Sequence, residues 1–451
     1  METTLAQNVW TKSKLLIKAG IIAAIILLLQ IPTYYVQNLI EERESRQKEA
    51  IAEVSSKWAG RQNIMGPVLV VPYWETTNDT LATKNKTKHL AYFLPDELTV
   101  NALVTPQEKY RGIYKVMLYS SAVNLSGIFR SVRSQRLGIA PEDMIWNEAY
   151  MRMSASDNKG LNDEVKLNVN DTALTVSPFD REGAKDQGLS AMLPLASAQD
   201  VANLRFSSQI VINGSEQLLF TPLGKSTTVR LSSAWPHPSF TGNSLPQTTS
   251  IKDSGFTAVW RSMGHKQNFP QQWKDDAFSV NNLSANSVAA SAFGVDLFIP
   301  VSGYQKTMRS IKYSLLCLLL TFAAFFLIET TAKKSAHPFH YGLIGLALIL
   351  FYTLLLSFSE YTGFDAAYVI ASAFTVGLIG WFSRSILVSG KLAVLVSTIL
   401  LLLYGYVFTI LQLQDYSLLL GSLGLFLTLA VIMHFSKKFN GKKRAGWNFG
   451  K

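Results

Sequence analysis

Apolar residues follow two regimes along this chain. Near the N-terminus and after about residue 310 they form long unbroken runs, and between those regions they come in short bursts that alternate with polar residues. A helix needs roughly 20 mostly apolar residues to cross a bilayer core. Six stretches meet that need: about Leu15–Val36, Ile311–Glu329, Phe339–Phe358, Asp365–Phe382, Leu392–Leu413 and Tyr416–Phe435. The first follows Lys12, Lys14 and Lys18, as a cleaved signal would, but IPTYYVQNLIEERE comes next. Its bulky residues argue for an uncleaved anchor.

The middle of the chain reads differently. LIEERESRQKEAIAEVSSKWAG has no proline and closes on Gly60, which predicts a helix running outward from the first anchor. Beyond it, GPVLVVPYWET, KHLAYFLP, ELTVNALV, GIYKVMLYSS, NLRFSSQIVING, TTVRLSS and FGVDLFIP are rich in β-branched and aromatic residues. Asn, Asp, Gly and Pro separate them. That spacing predicts an antiparallel β-rich domain of sandwich type, with a short helical patch near Pro141–Met151. The fold class is therefore a mixed membrane protein, with one helix, an inserted β-rich domain and five further helices. The expected divisions are 1–40, 41–305, 306–436 and a basic tail, 437–451.

Charge sharpens this picture. Residues 41–305 hold 26 basic and 26 acidic side chains, so the whole excess of +11 lies in the remaining, mostly apolar parts. Such an excess marks membrane orientation and not a nucleic-acid partner. With the N-terminus in the cytoplasm, Lys12, Lys14, Lys18, Lys333, Lys334, Arg384, Lys391 and the KKFNGKKR tail all fall inside. The opposite loops carry Glu360, Asp365 and Asp415. Lys306, Arg309 and Lys312 are exceptions, after a long translocated segment where the rule is weak. Pro338 and Gly363 suit the start and end of one helix, and Asp365 and Asp415 suit N-caps. One cysteine, Cys317, excludes an internal disulfide.

Several stretches carry a family likeness: SAWPHPSFTGNSLPQ (233–247), SGFTAVW (254–260), KYSLLCLLLTFAAFFLIE (312–329) and HPFHYGLIGLALILFYTLLLSFSEYTGFDAAYVIAS (337–372). IMGPVLVVPY and YFLPDELTV add weaker matches. The chain resembles the CreD family of Gram-negative inner-membrane proteins. The resemblance implies a place in the inner membrane and a role in envelope integrity or stress response. It brings no reaction, ligand or catalytic residue.

Candidate chemistry is sparse. No HExxH, GxSxG, Walker A or GxGxxG motif occurs, and no cofactor is expected. His337 and His340 share a helix face, but two ligands are too few for zinc. Trp235 and His237, within WPHP, form either a partner-gripping tip or a rigid turn capping the core; proline geometry favours the turn. Glu329 and Glu360 end helices near the interfaces, where carboxylates reach water. Glu360 is also a candidate partner of Lys306, Arg309 or Lys312. Adjacent Asp275 and Asp276 read as a solvated loop. No charge falls in the middle of a predicted span, which weighs against an ion-coupled transporter. The leading expectation is a non-enzymatic envelope protein whose outer domain binds a periplasmic protein, lipid or wall polymer. A lipid or solute transporter comes second, and a membrane enzyme acting on lipid or peptidoglycan comes third.

Overall fold

A computed structural model describes residues 2–78, 84–162, 164–178, 188–278, 288–297, 303–331 and 336–413, with 419–424, 426, 430 and 433. The chain divides into two compact units, Met1–Lys48 with Val301–Lys451, and Glu49–Pro300.

The first unit is helical. α1 (Glu2–Trp58) runs unbroken through the predicted anchor and the outward helix, and only its first part belongs to this unit. α2 (Gly303–Lys312) and α3 (Ser314–Thr331) are separated by Tyr313 alone. α4 (Pro338–Thr362), α5 (Phe364–Leu387) and α6 (Gly390–Gln412) complete the described helices. Five of them, α1 and α3 to α6, are long and apolar enough to cross a membrane. The sixth predicted span lies largely outside the described residues, though 419–424 are helical.

Local chemistry explains the joints. Pro338 opens α4, where a missing N–H costs nothing. Gly363 is the whole link between α4 and α5, at a φ of +79° that an L side chain rarely adopts. Gly363 is also the N-cap of α5. Asp365 therefore falls inside the first turn and is not the cap predicted for it; its charge still suits that helix end. Asp415 lies outside the described residues. In the interior, Phe351 of α4 packs its ring 4.6 Å from Tyr404 of α6 and 5.3 Å from Tyr368 of α5. The Tyr368 hydroxyl donates to the Tyr404 carbonyl at 2.9 Å. Cys317 is buried in α3, at 3% exposure.

The second unit holds two sheets, with strands numbered in chain order. One runs β13 (Pro238–Gly242), β17 (Phe293–Leu297), β11 (Gln217–Phe220), β1 (Gln62–Asn78), β5 (Tyr150–Ala155), β9 (Leu189–Met192), β8 (Ser177–Pro178). β2 (Lys84–Phe93) also pairs with β1, and β16 (Gln272–Lys274) pairs with β2. The other sheet runs β14 (Thr248–Lys252), β15 (Gly255–Met263), β12 (Ser226–Ser233), β3 (Glu97–Arg111), β4 (Tyr114–Phe129), β10 (Leu204–Ser215), β6 (Lys166–Val169), β7 (Thr172–Leu174). One hydrophobic cluster draws on both sheets, as a sandwich requires. The pairing is not wholly antiparallel, because β1 with β11 and β3 with β12 run parallel. These strands lie over 100 residues apart, so no short hairpin dictates their direction.

The burial pattern follows the pleat. In β3, Leu98, Val100, Ala102 and Val104 are buried while Glu97, Asn101, Leu103 and Thr105 are exposed. Successive side chains point to opposite faces, so one face meets the core and the other meets solvent. The expected helical patch is instead a series of 3-10 turns at Ser134–Leu137, Pro141–Asp143 and Trp146–Glu148.

Candidate functional site

One face of α1 organises the helical unit. Ile22, Ile26, Leu29, Thr33, Val36 and Ile40 are its buried residues there, spaced alternately four and three apart. That is the period of a packed helical seam. Gly345 of α4 lets the seam approach closely, because a Cβ at that position would lie 2.2 Å from Leu29 Cδ1 and 3.0 Å from Phe322 Cζ. Arg43 continues that alternation at one end, and Lys18 lies one turn, four residues, before Ile22 at the other. Twenty-five residues of helix separate them, or about 38 Å of rise. Each of the two cations meets a glutamate that the sequence had singled out.

At the first end, the Lys18 ammonium pairs with Glu329 of α3 and donates to the Ala336 carbonyl at 2.7 Å. Glu329 also accepts from the Ala336 N–H at 2.9 Å and from the Tyr341 hydroxyl at 2.8 Å. Phe322 and Phe325 set their ring edges against Tyr341. Glu329 is only 3% exposed, contrary to the expectation that its position lets it reach water. The packed end of α4 closes over it. A buried carboxylate needs this full set of donors, since an unpaired one is costly.

At the second end, Glu360 of α4 accepts from the Tyr304 hydroxyl at 3.0 Å and lies 3.7 Å from the Arg43 guanidinium. The predicted cations are not its partners. Lys306 turns to Asp365 at 3.6 Å and covers the Phe364 ring, and Gln412 donates to the same carboxylate at 2.7 Å. His337 caps α4, its Nδ1 accepting from the Phe339 N–H at 3.2 Å. The His340 ring packs on His337 and Phe382.

In the β unit, Trp235 is withdrawn into the core, and its indole N–H donates to the His237 carbonyl at 3.0 Å. The WPHP segment is thus a rigid turn, with only His237 exposed. A cluster that the sequence did not reveal lies on β1, β2 and the turn after β16. His89 Nδ1 is 3.1 Å from Asp275 Oδ2, and its Nε2 is 3.0 Å from Thr87 Oγ1 and 3.3 Å from Glu75 Oε2. Asp275 also accepts from the Leu90 N–H at 3.0 Å and the Tyr73 hydroxyl at 3.3 Å. Burial, with the Asp275 and Glu75 carboxylates beside it, raises the Tyr73 phenol well above its usual range, so it stays a donor. Asp275 is therefore a structural acceptor as well as a partly solvated turn residue. Hydroxyl, imidazole and carboxylate stand in relay order here. However, Glu75 shares Nε2 with Thr87, and Lys274 lies over the Tyr73 ring, which gives the group the form of an ion network. A distance of 186 residues between His89 and Asp275 hides it from local pattern reading.

The family described as inner membrane protein CreD matches this sequence over residues 14–441. The chain belongs to the CreD family. This CreD-family chain is 31% identical over 432 residues to inner membrane protein CreD of Escherichia coli strain K12, covering 95% of this chain and 94% of that one. The match runs through both units and both ends of the α1 seam. It agrees with a multi-pass protein of the inner membrane.

Proposed function

We propose that this CreD-family protein supports cell-envelope integrity without catalysing a reaction, its β unit acting as an extracytoplasmic binding module. The observation that carries this reading is the architecture of α1. The same helix that leads into the β unit is fixed in the helical unit by a packed seam with an ion pair at each end. The orientation of Lys and Arg supports placing the β unit outside the membrane and both termini in the cytoplasm.

A second reading, a lipid or solute transporter, draws on one observation. Thr321 Oγ1 and Ser383 Oγ are buried in the bundle with no hydrogen-bond partner among the described residues. Such hydroxyls suit a polar passenger.

The test uses a strain lacking the gene. Full-length protein should restore detergent resistance, and His89→Ala and Asp275→Ala should restore it too. Loss of rescue by inserted, folded His89→Ala, together with turnover of lipid or wall fragments by the purified wild type, would replace the non-enzymatic reading. Protein-dependent movement of lipid across reconstituted vesicles would favour the transporter.

A further inference from the structure

The solvent-facing side of the second sheet carries two ordered rows that the core does not explain. Strand register places Arg230, Asn101, Asn124, Gln209 and Lys166 side by side on β12, β3, β4, β10 and β6. All five side chains are exposed. Four strand-to-strand steps give this row a length of about 19 Å. It is a track of carboxamides with a cation at each end.

A second row lies two residues along each strand, about 7 Å away. It consists of Arg261, Thr228, Thr99, Ser126, Ser207 and Asn168, on β15, β12, β3, β4, β10 and β6. Its chemistry is mainly hydroxyl. Arg261 is the diagonal neighbour of Arg230 across the β12–β15 pair, about 7 to 8 Å apart by backbone geometry. None of these side chains has a hydrogen-bond or ion-pair partner among the described residues. An ordinary solvated sheet face balances its charges across strands. Here neither row contains an acid, and Glu97, two positions beyond the second row on β3, is held by Arg130.

We infer that this face docks an extended acidic glycan. Side-by-side amides and hydroxyls match the alternating donors and acceptors of sugar hydroxyls. Arg230 and Arg261 offer planar forks for a carboxylate. The small residues of the rows form a flat track, which suits a polymer lying across the strands. No aromatic ring stands in either row to stack on a base, and the apolar side chains that continue the rows, Val259 beside Arg230 and Ala173 beside Asn168, are small and sit at their ends. The inference rests on the β unit lying outside the membrane, and it names the ligand class for the binding role proposed above.

The test uses full-length protein in phosphatidylcholine nanodiscs, with polygalacturonate as the acidic glycan and dextran as its neutral counterpart. The wild type should bind polygalacturonate and ignore dextran. Arg230→Ala with Arg261→Ala should weaken binding by at least about tenfold. Asn101→Ala with Asn124→Ala should weaken it several-fold and keep doing so at high salt. Lys266→Ala, outside the rows, should change nothing. The inference falls if polygalacturonate does not bind, or if Lys266→Ala weakens binding as much as the arginine pair. It also falls if phosphatidylglycerol vesicles bind through the arginines in preference to the glycan. A wild type that restores detergent resistance yet does not bind polygalacturonate removes this inference alone. A wild type that fails to restore resistance removes the proposed function.

Discussion

The two ends of the α1 seam use the same chemistry under different conditions. Each joins a cation of α1 to a glutamate and a tyrosine hydroxyl. At the Lys18 end the paired side chains are 19% and 4% exposed, and the glutamate has donors on both oxygens. At the Arg43 end they are 41% and 10% exposed, at a loose 3.7 Å. Composition alone would rank the two pairs equally. Burial separates them, because a buried partner left alone keeps its desolvation cost while an exposed one is rescued by water.

The largest expected effect follows from this. Glu329→Ala should destabilise the helical unit by about 3–5 kcal/mol, since it strands Lys18 and the Tyr341 hydroxyl. Thermal unfolding in detergent would show it, and Lys18→Met with Glu329→Leu should recover most of the loss. A double variant no better than the single one would mean that the pair is not the cause.

Between the two ends, Gly345→Leu should cost about 1–3 kcal/mol by forcing Leu29 and Phe322 aside. Adding Leu29→Ala should return part of it. At the far end, Arg43→Ala or Glu360→Gln should cost less than about 1 kcal/mol, and added salt should shrink the effect further. A loss there equal to that of Glu329→Ala would break the comparison.

The smallest effect comes from a half-exposed carboxylate in the β unit. Lys57 at 2.7 Å and Arg111 at 2.9 Å hold the Glu53 carboxyl below its usual range. Its folded pKa is depressed, so its contribution is present above the ordinary Glu range and is lost as pH falls through the folded value. Arg111→Ala should slightly lower stability at neutral pH and flatten the acid limb of a stability–pH curve, with no change once the pH is below the folded value.

Legibility in the sequence divides along the same lines. The spans, the Pro338 start and the Gly363 stop were readable because length, proline and glycine act locally. The strands were readable because water wets one face of each sheet, as the alternation in β3 shows. The α1 seam was not readable, because lipid and protein neighbours both favour apolar residues and leave no contrast between faces. Glu329 was read as interfacial from its place near a helix end, but its burial depends on Lys18, which lies 311 residues away. Distance also hid the His89–Asp275 contact and the parallel strand pairs. The fate of Trp235 was legible because two prolines fix its turn.

The solitary thiol has a practical consequence. Cys317 is packed inside the bundle at 3% exposure, so a membrane-impermeant maleimide should leave the intact native protein unlabelled. A second cysteine placed on an exposed position, such as Thr249 of β14, would then be the sole reporter in the chain. Labelling it in whole spheroplasts, and again after lysis, would reveal on which side of the bilayer the β unit resides. No prior removal of native thiols would be required.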